Sequence, residues 1–213
     1  RYLISEQADI YQVVLQKLGV NDYHILAHDY GDTVAQELLA RQVEDSAERH
    51  IASVCFLNGG LFPETHKPIL VQKLLLSPLG PLVSKLINKQ KFAGSLQRIF
   101  GPDTQPTVEV IDTLWQLLSH NDGLGVMHKL INYMPQRQQY RERWVGAIIN
   151  STVPVKLIAG AKDPISGQHM IDRYRQLIPN ADITNMPMLG HYPQIEDAAA
   201  ITAAYLQFRR SIL

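Results

Sequence analysis

Ala27-His28-Asp29-Tyr30-Gly31-Asp32 follows a short strand-like run, His24-Ile25-Leu26, and opens a helical run from Thr33 through Leu39. A strand that turns sharply into a helix, with small residues two before and two after a central side chain, has the pattern of a nucleophile elbow. Ala27 and Gly31 are the small residues here, leaving room for a strained backbone that pushes the central side chain into a cleft. That side chain is a carboxylate, Asp29, where a serine is commoner. A serine must lose a proton before it attacks, whereas a carboxylate with a reference pKa of about 3.9 is already anionic at neutral pH. The identity of this one residue therefore selects the chemistry.

Strand and helix signals alternate on either side of the elbow. Ala52-Ser53-Val54-Cys55-Phe56-Leu57 ends in Asn58-Gly59-Gly60 and reads as a strand buried on both faces. A third run, Val155 to Gly160, follows Pro154, and a weaker fourth is Asp182-Ile183-Thr184-Asn185. Helices are expected over about 167 to 178 and 194 to 210. Ser5 reads as the N-cap of a first helix that carries Ile10, Val13, Val14 and Leu18 on one face and stops at Gly19. Such alternation predicts an α/β fold, a parallel sheet covered by helices. Residues 62–149 break the rhythm with helical patterns alone, the clearest placing Val108, Ile111, Trp115 and Leu118 at helical spacing after Thr107. Residues 1–61 and 150–213 are thus expected to form the core, and 62–149 a helical cap inserted between two strands.

Two further residues complete a constellation. Asp163, in Gly160-Ala161-Lys162-Asp163-Pro164, follows the third strand, and His191, in Leu189-Gly190-His191-Tyr192-Pro193, follows the fourth. Singly each has a plainer reading: Asp29 as a helix cap, Asp163-Pro164 as a turn, His191 as a satisfied histidine. Together they stand in the chain order nucleophile, acid, histidine, each at the strand edge where open parallel sheets bind ligands. In that arrangement Asp163 orients the imidazole and His191 acts as base. A metal site from His28, Asp29 and Asp32 lacks any recognisable ligand spacing, so neither metal nor other cofactor is expected.

Lys+Arg and Asp+Glu both number 20, so there is no basic surplus for nucleic acid, and a small apolar molecule is the expected partner. The single cysteine, Cys55, lies in an apolar run and reads as a buried structural thiol. No run approaches the roughly 20 apolar residues of a membrane span, although the apolar Leu70–Leu86 stretch leaves association with a membrane surface open. The start, Arg1-Tyr2-Leu3-Ile4, has neither an initiating methionine nor a signal-peptide pattern, so the chain reads as a segment of a longer protein. An intracellular, cytoplasmic setting is the default expectation.

These motifs resemble the α/β-hydrolases, in the branch that holds epoxide hydrolases and haloalkane dehalogenases. The elbow of that branch commonly reads His-Asp-Trp-Gly, matched by His28-Asp29-Tyr30-Gly31. A narrower group in the family is also similar at Asn58 to His66, at Arg143-Trp144-Val145-Gly146-Ala147 and at His191 to Asp197, so the resemblance covers nearly the whole chain. It implies an aspartate nucleophile that forms an ester with an epoxide or alkyl halide, which water activated by His191 then cleaves. It also implies roles for substrate-binding residues. Tyr30 stands where dehalogenases place an indole donor, and Ile131-Asn132-Tyr133-Met134 is similar to the Asn-x-Tyr motif of epoxide hydrolases, with the tyrosine displaced by one. Tyr30, Trp115 and Tyr133 are accordingly the candidates for lining the substrate space; packing inside the cap is the alternative for Trp115 and Tyr133. The first strands of the fold and its His-Gly-x-Pro loop are not found, which implies the C-terminal portion of the fold, an exposed elbow strand and the Tyr30 N–H as oxyanion donor. No Gly-x-Ser-x-Gly occurs, which disfavours a serine esterase. A noncatalytic, lipid-associated binding protein is the alternative from another class.

Overall fold

The computed structural model describes residues 2–44 and 50–212. In chain order the elements are α1 (Ile4–Lys17), β1 (Asp22–Ala27), α2 (Tyr30–Val43), β2 (His50–Phe56), α3 (Leu70–Leu76), α4 (Gly80–Leu86), α5 (Lys89–Ile99), α6 (Val108–Ser119), α7 (Gly123–Leu130), α8 (Tyr133–Gln139), α9 (Arg141–Ile149), β3 (Val155–Gly160), α10 (Gln168–Leu177), β4 (Asp182–Met186), α11 (Pro193–Glu196) and α12 (Ala198–Ser211). The four strands pair in sequence order, β1-β2-β3-β4, and every pairing is parallel. All strand C-termini therefore lie along one edge, where the loops carrying Asp29, Asn58, Asp163 and His191 emerge.

Helices cover both faces because side chains on β2 and β3 alternate between two apolar layers. Val54, Phe56, Leu157 and Ala159 join one core with residues of α2, α9 and α10. Cys55, Leu57 and Ile158 point the other way, against Ile201, Ala204 and Phe208 of α12. The outer strand β1 is different: its residues alternate between exposed and half-buried, and Leu26 is 46% exposed.

Three expectations need correction. First, α1 begins at Ile4 rather than after a Ser5 cap, because Gln136 Oε1 accepts from the Ile4 N–H at 3.0 Å and satisfies one orphan donor of the first turn. Second, the predicted apolar face of α1 is not its buried one: Ile10, Val13, Val14 and Leu18 are exposed, whereas Ile4 and Ala8 are buried. Helical periodicity tells which residues share a face and not what covers it. Third, the C-terminal helix is broken at Asp197, which leaves helical geometry and caps α12 by accepting from the Ala200 N–H at 2.9 Å.

Between β2 and β3 the described residues contain helices and no strand. Thr107 caps α6 through its hydroxyl, and the turn at Asn121 and Asp122, both at positive φ, separates α6 from α7. Pro78, Gly80 and Pro81 split the apolar Leu70–Leu86 stretch into α3 and α4, on which Leu70, Leu79, Leu82 and Leu86 stay largely exposed. The last helix of this region, α9, packs on α2 rather than standing over the sheet edge. A buried acid fastens the two: Glu37 accepts from Trp144 Nε1 at 2.8 Å, Arg143 Nε at 3.0 Å and Arg41 Nε at 2.9 Å. Burial opposes its ionisation, but these donors outweigh it and hold the carboxyl below its ordinary range.

Candidate active site

The chain leaves β1 and turns into α2 at Asp29, whose φ of 50° and ψ of −109° lie where a non-glycine residue is strained. Neighbours hold that geometry in place. The Asp29 N–H donates to the Asn58 carbonyl at 2.9 Å, and the Gly31 N–H to the His28 carbonyl at 2.8 Å. Gly31 is looser than the sequence suggests, since a Cβ there would only touch Ala27 at 4.0 Å. The tight glycine is Gly59, where a Cβ would overlap the Asp32 carboxylate. Tyr30 opens α2, so its N–H belongs to the first turn, whose donors have no intrahelical acceptor.

The structure brings Asp29, His191 and Asp163 together. Asp163 Oδ2 lies 2.7 Å from His191 Nδ1, and His191 Nε2 lies 3.8 Å from Asp29 Oδ2. The imidazole and Asp163 are buried, whereas the Asp29 side chain is 38% exposed. Asp163 is also held by Ser166 Oγ at 2.6 Å, the Ile165 N–H at 2.7 Å and Asn58 Nδ2 at 3.1 Å. Asn58 in turn accepts from the Gly160 N–H at 2.7 Å and ties β2 to the Asp163 loop. The histidine loop is anchored by Glu196, which accepts from the N–H groups of Gly101, Gly190 and Tyr192. His28 Nε2 meets the His191 carbonyl at 2.7 Å from the other side.

Charge follows from this packing. Burial disfavours a charged His191, but the Asp163 charge and hydrogen bond, and then those of Asp29, hold its pKa up at about 10. Burial would likewise raise Asp29; the His191 imidazolium 3.8 Å away, with His28 and Arg137 behind it, pushes it well below the carboxylate range instead. Asp163 is lowered against burial by the same imidazole. Beneath the elbow, Asp32 is fully buried, and desolvation raises its carboxyl well above the ordinary range.

Tyr30 and Tyr133 meet edge to face, ring centroids 5.5 Å apart. Burial raises the Tyr30 hydroxyl to about 12, and burial together with the Asp29 charge raises Tyr133 and Tyr192, so all three are protonated donors at neutral pH. Trp115 is not brought to this group: its ring packs on Phe92 of α5, at 5.7 Å, within the helical region between β2 and β3. A cavity of about 880 Å³ opens among α3 to α7, lined largely by apolar side chains such as Leu74, Val83, Phe92 and Met127. The lone cysteine, Cys55, is buried, and desolvation raises its thiol to about 12. Among the described residues, no group of three or more His, Cys, Asp or Glu side chains is arranged to hold a metal ion, and no helix is long and apolar enough to cross a membrane.

Several residues of this site escape a reading by motif. Asn58 was visible only as the end of a strand, Ser166 and Glu196 as ordinary polar residues beside the Asp163 and His191 loops. Arg137, one of several cations in the helical region, reaches down from α8. Its Nε donates to Thr33 Oγ1 at 2.7 Å, its Nη2 to the Asp29 carbonyl at 3.1 Å, and its guanidinium lies over the Tyr133 ring.

Residues 1–198 match the α/β hydrolase fold family, and the chain belongs to it. Within that class it is 40% identical over 218 residues to the mesoderm-specific transcript protein of Mus musculus, covering 99% of this chain. The chain spans 65% of the length of that relative. Among solved structures, the epoxide hydrolase CorEH superimposes with a TM-score of 0.73 at 14% identity, over 100% of this chain and 76% of the other. A haloalkane dehalogenase DbeA-M1 loop variant from Bradyrhizobium elkanii gives 0.72 at 15% identity, over 99% and 74%. At such identities the two structures speak for the fold alone.

Proposed function

We propose that the protein is a hydrolase that uses Asp29 as nucleophile on a small epoxide or alkyl halide, through a covalent aspartyl ester. The observation that carries this reading is an ionised carboxylate on a strained elbow, 3.8 Å from an imidazole that a second carboxylate grips at 2.7 Å. Attack on a carboxylic ester would yield an energetic anhydride, whereas attack on a saturated carbon yields a stable alkyl ester. An Asp29 oxygen forms the new C–O bond as the C–halogen bond breaks and halide departs with the electron pair. With an epoxide, the ring C–O bond breaks and its oxygen takes a proton from a tyrosine hydroxyl, for which Tyr133, Tyr30 and Tyr192 are the candidates.

The charge balance suits the second step. Esterification removes the Asp29 charge, one of the two anions that keep His191 protonated, so the imidazole pKa falls. The neutral imidazole then takes a proton from water as the water oxygen attacks the ester carbonyl. The acyl–oxygen bond breaks, and the leaving alkoxide takes that proton from the imidazolium and departs as an alcohol. The Asp29 acid so formed passes its own proton to the imidazole as the carboxylate returns. The Tyr30 N–H, at the start of α2, supports the developing oxyanion.

The test is mass spectrometry of His191→Gln exposed to panels of epoxides and haloalkanes. An adduct on Asp29 is expected, because formation of the ester survives and its hydrolysis does not. No adduct from any member of either panel sinks the reading. The exposed leucines of α3 and α4 favour a second reading, a lipid-associated binding protein that retains the fold. Vesicle binding that survives Asp29→Asn, with no turnover in the parent chain, is its signature.

A further inference from the structure

An arginine carries five N–H donors. In Arg137 those on Nε and Nη2 are satisfied by Thr33 and Asp29. The donors on Nη1 have no hydrogen-bond partner among the described residues, although the residue is only 3% exposed. A buried guanidinium edge without an acceptor is costly, so a native site that keeps one calls for an explanation. Arg137 borders a recess of about 80 Å³ that it shares with Pro63, His66, Pro68, Met134 and Gln138. His66 enters the recess from the β2–α3 connection. A Cβ built on Gly60 would overlap Arg137 Nη1 and stand 3.2 Å from His66 Nδ1, so the two nitrogens converge beside that glycine. The ring nitrogens of His66 make no hydrogen bond of good geometry among the described residues, although the Gln72 side chain acts on the ring. Burial, and then the Arg137 charge, holds the imidazole at about 4, which leaves it neutral with one N–H to give.

We infer that this recess is an anion subsite of the active site, taking the carboxylate of a short substrate whose reactive carbon faces Asp29. The inference rests on the aspartate-nucleophile reading for the reaction and adds to it the class of substrate: a short carboxylic acid bearing an epoxide or a halogen. Adjacent donors from two side chains suit the two oxygens of a carboxylate. A recess of about 80 Å³ has room for a group of carboxylate size. The guanidinium that faces the recess also holds the peptide oxygen of Asp29, which keeps a bound anion within a short chain of the elbow. It also puts a cation between two anions that would otherwise repel. An apolar substrate thus gains a charged end, which stays unchanged while the Asp29 oxygen displaces halide or opens the ring.

The experiment is isothermal titration of the full chain carrying Asp29→Asn with propionate, and with chloride and inorganic phosphate as separate arms. Propionate is expected to bind, and Arg137→Gln and His66→Phe are each expected to weaken it by about tenfold or more. Should Arg137→Gln lose its cooperative melting transition, His66→Phe alone must show the loss. Absence of propionate binding, or binding untouched by His66→Phe, overturns the inference. Displacement of propionate by equal chloride or phosphate also overturns it, since the recess would then be a general anion hole. The two readings fail separately. Propionate binding without an Asp29 adduct in His191→Gln counts against the nucleophile alone, and an adduct from neutral haloalkanes without propionate binding counts against the subsite alone.

Discussion

Asp163 and Asp29 flank the same imidazole, yet their surroundings are opposites. Asp163 is buried, and three donors besides His191 occupy its oxygens. Asp29 is over a third exposed, and the imidazole 3.8 Å away is its nearest ionic partner. A carboxylate saturated with short hydrogen bonds is a fixture, because its lone pairs are committed. One left open toward a cleft, with its backbone strained to keep it there, has lone pairs free for a carbon atom. Position on the sheet edge makes both residues candidates; the proposed reading gives them different roles because their hydrogen-bond inventories differ.

The largest expected effect breaks the open member. Asp29→Asn should reduce turnover by at least about 10⁴-fold, as removal of a nucleophile generally does, while the thermal midpoint stays near that of the parent. Steady-state kinetics on a substrate found with the epoxide and haloalkane panels, beside a melting curve, measure both; a modest drop would mean that Asp29 is not the nucleophile. The closed member should respond in stability. Asp163→Ala strips a buried imidazolium of its main partner and should cost about 3–5 kcal/mol in chemical denaturation, and Asp29→Ala less than half of that. Equal costs would erase the contrast.

A third prediction concerns pH. His191 is raised in the folded state, so its contribution is fully present below its ordinary value of 6.5 and is lost as pH climbs through about 10. The melting temperature should fall across that interval, and the fall should vanish in His191→Gln. A flat profile in the parent would mean that the two carboxylates do not share a protonated imidazole. The smallest effect sharpens the comparison without breaking it: Ser166→Ala removes one donor to Asp163 and should cost about 1 kcal/mol, read by urea denaturation.

The strands were legible because β2 and β3 are buried on both faces and so appear, the exposed His50 aside, as largely apolar runs interrupted only by Ser53 and Lys156. The three candidate residues were legible for a related reason. Each follows a strand, and a parallel sheet brings strand ends to one edge however far apart they lie in the chain. What held the site together was not legible. Asn58 meets Asp163 across 105 positions, and Arg137 meets Asp29 across 108, contacts that no local pattern encodes. The apolar stripe of α1 misled in the opposite sense, since its spacing is regular but Ile10, Val13 and Val14 face outward. Trp115, reasonable as a pocket wall by residue type, sits on Phe92 instead.

The hydrogen bond from Arg137 to the peptide oxygen of Asp29 has a consequence for how the molecule opens. That bond joins α8 to the backbone of the elbow residue itself. A displacement of α8 away from the elbow would break this hydrogen bond and the one to Thr33 together. The packing of α8 and the backbone of the elbow are thereby coupled through one side chain.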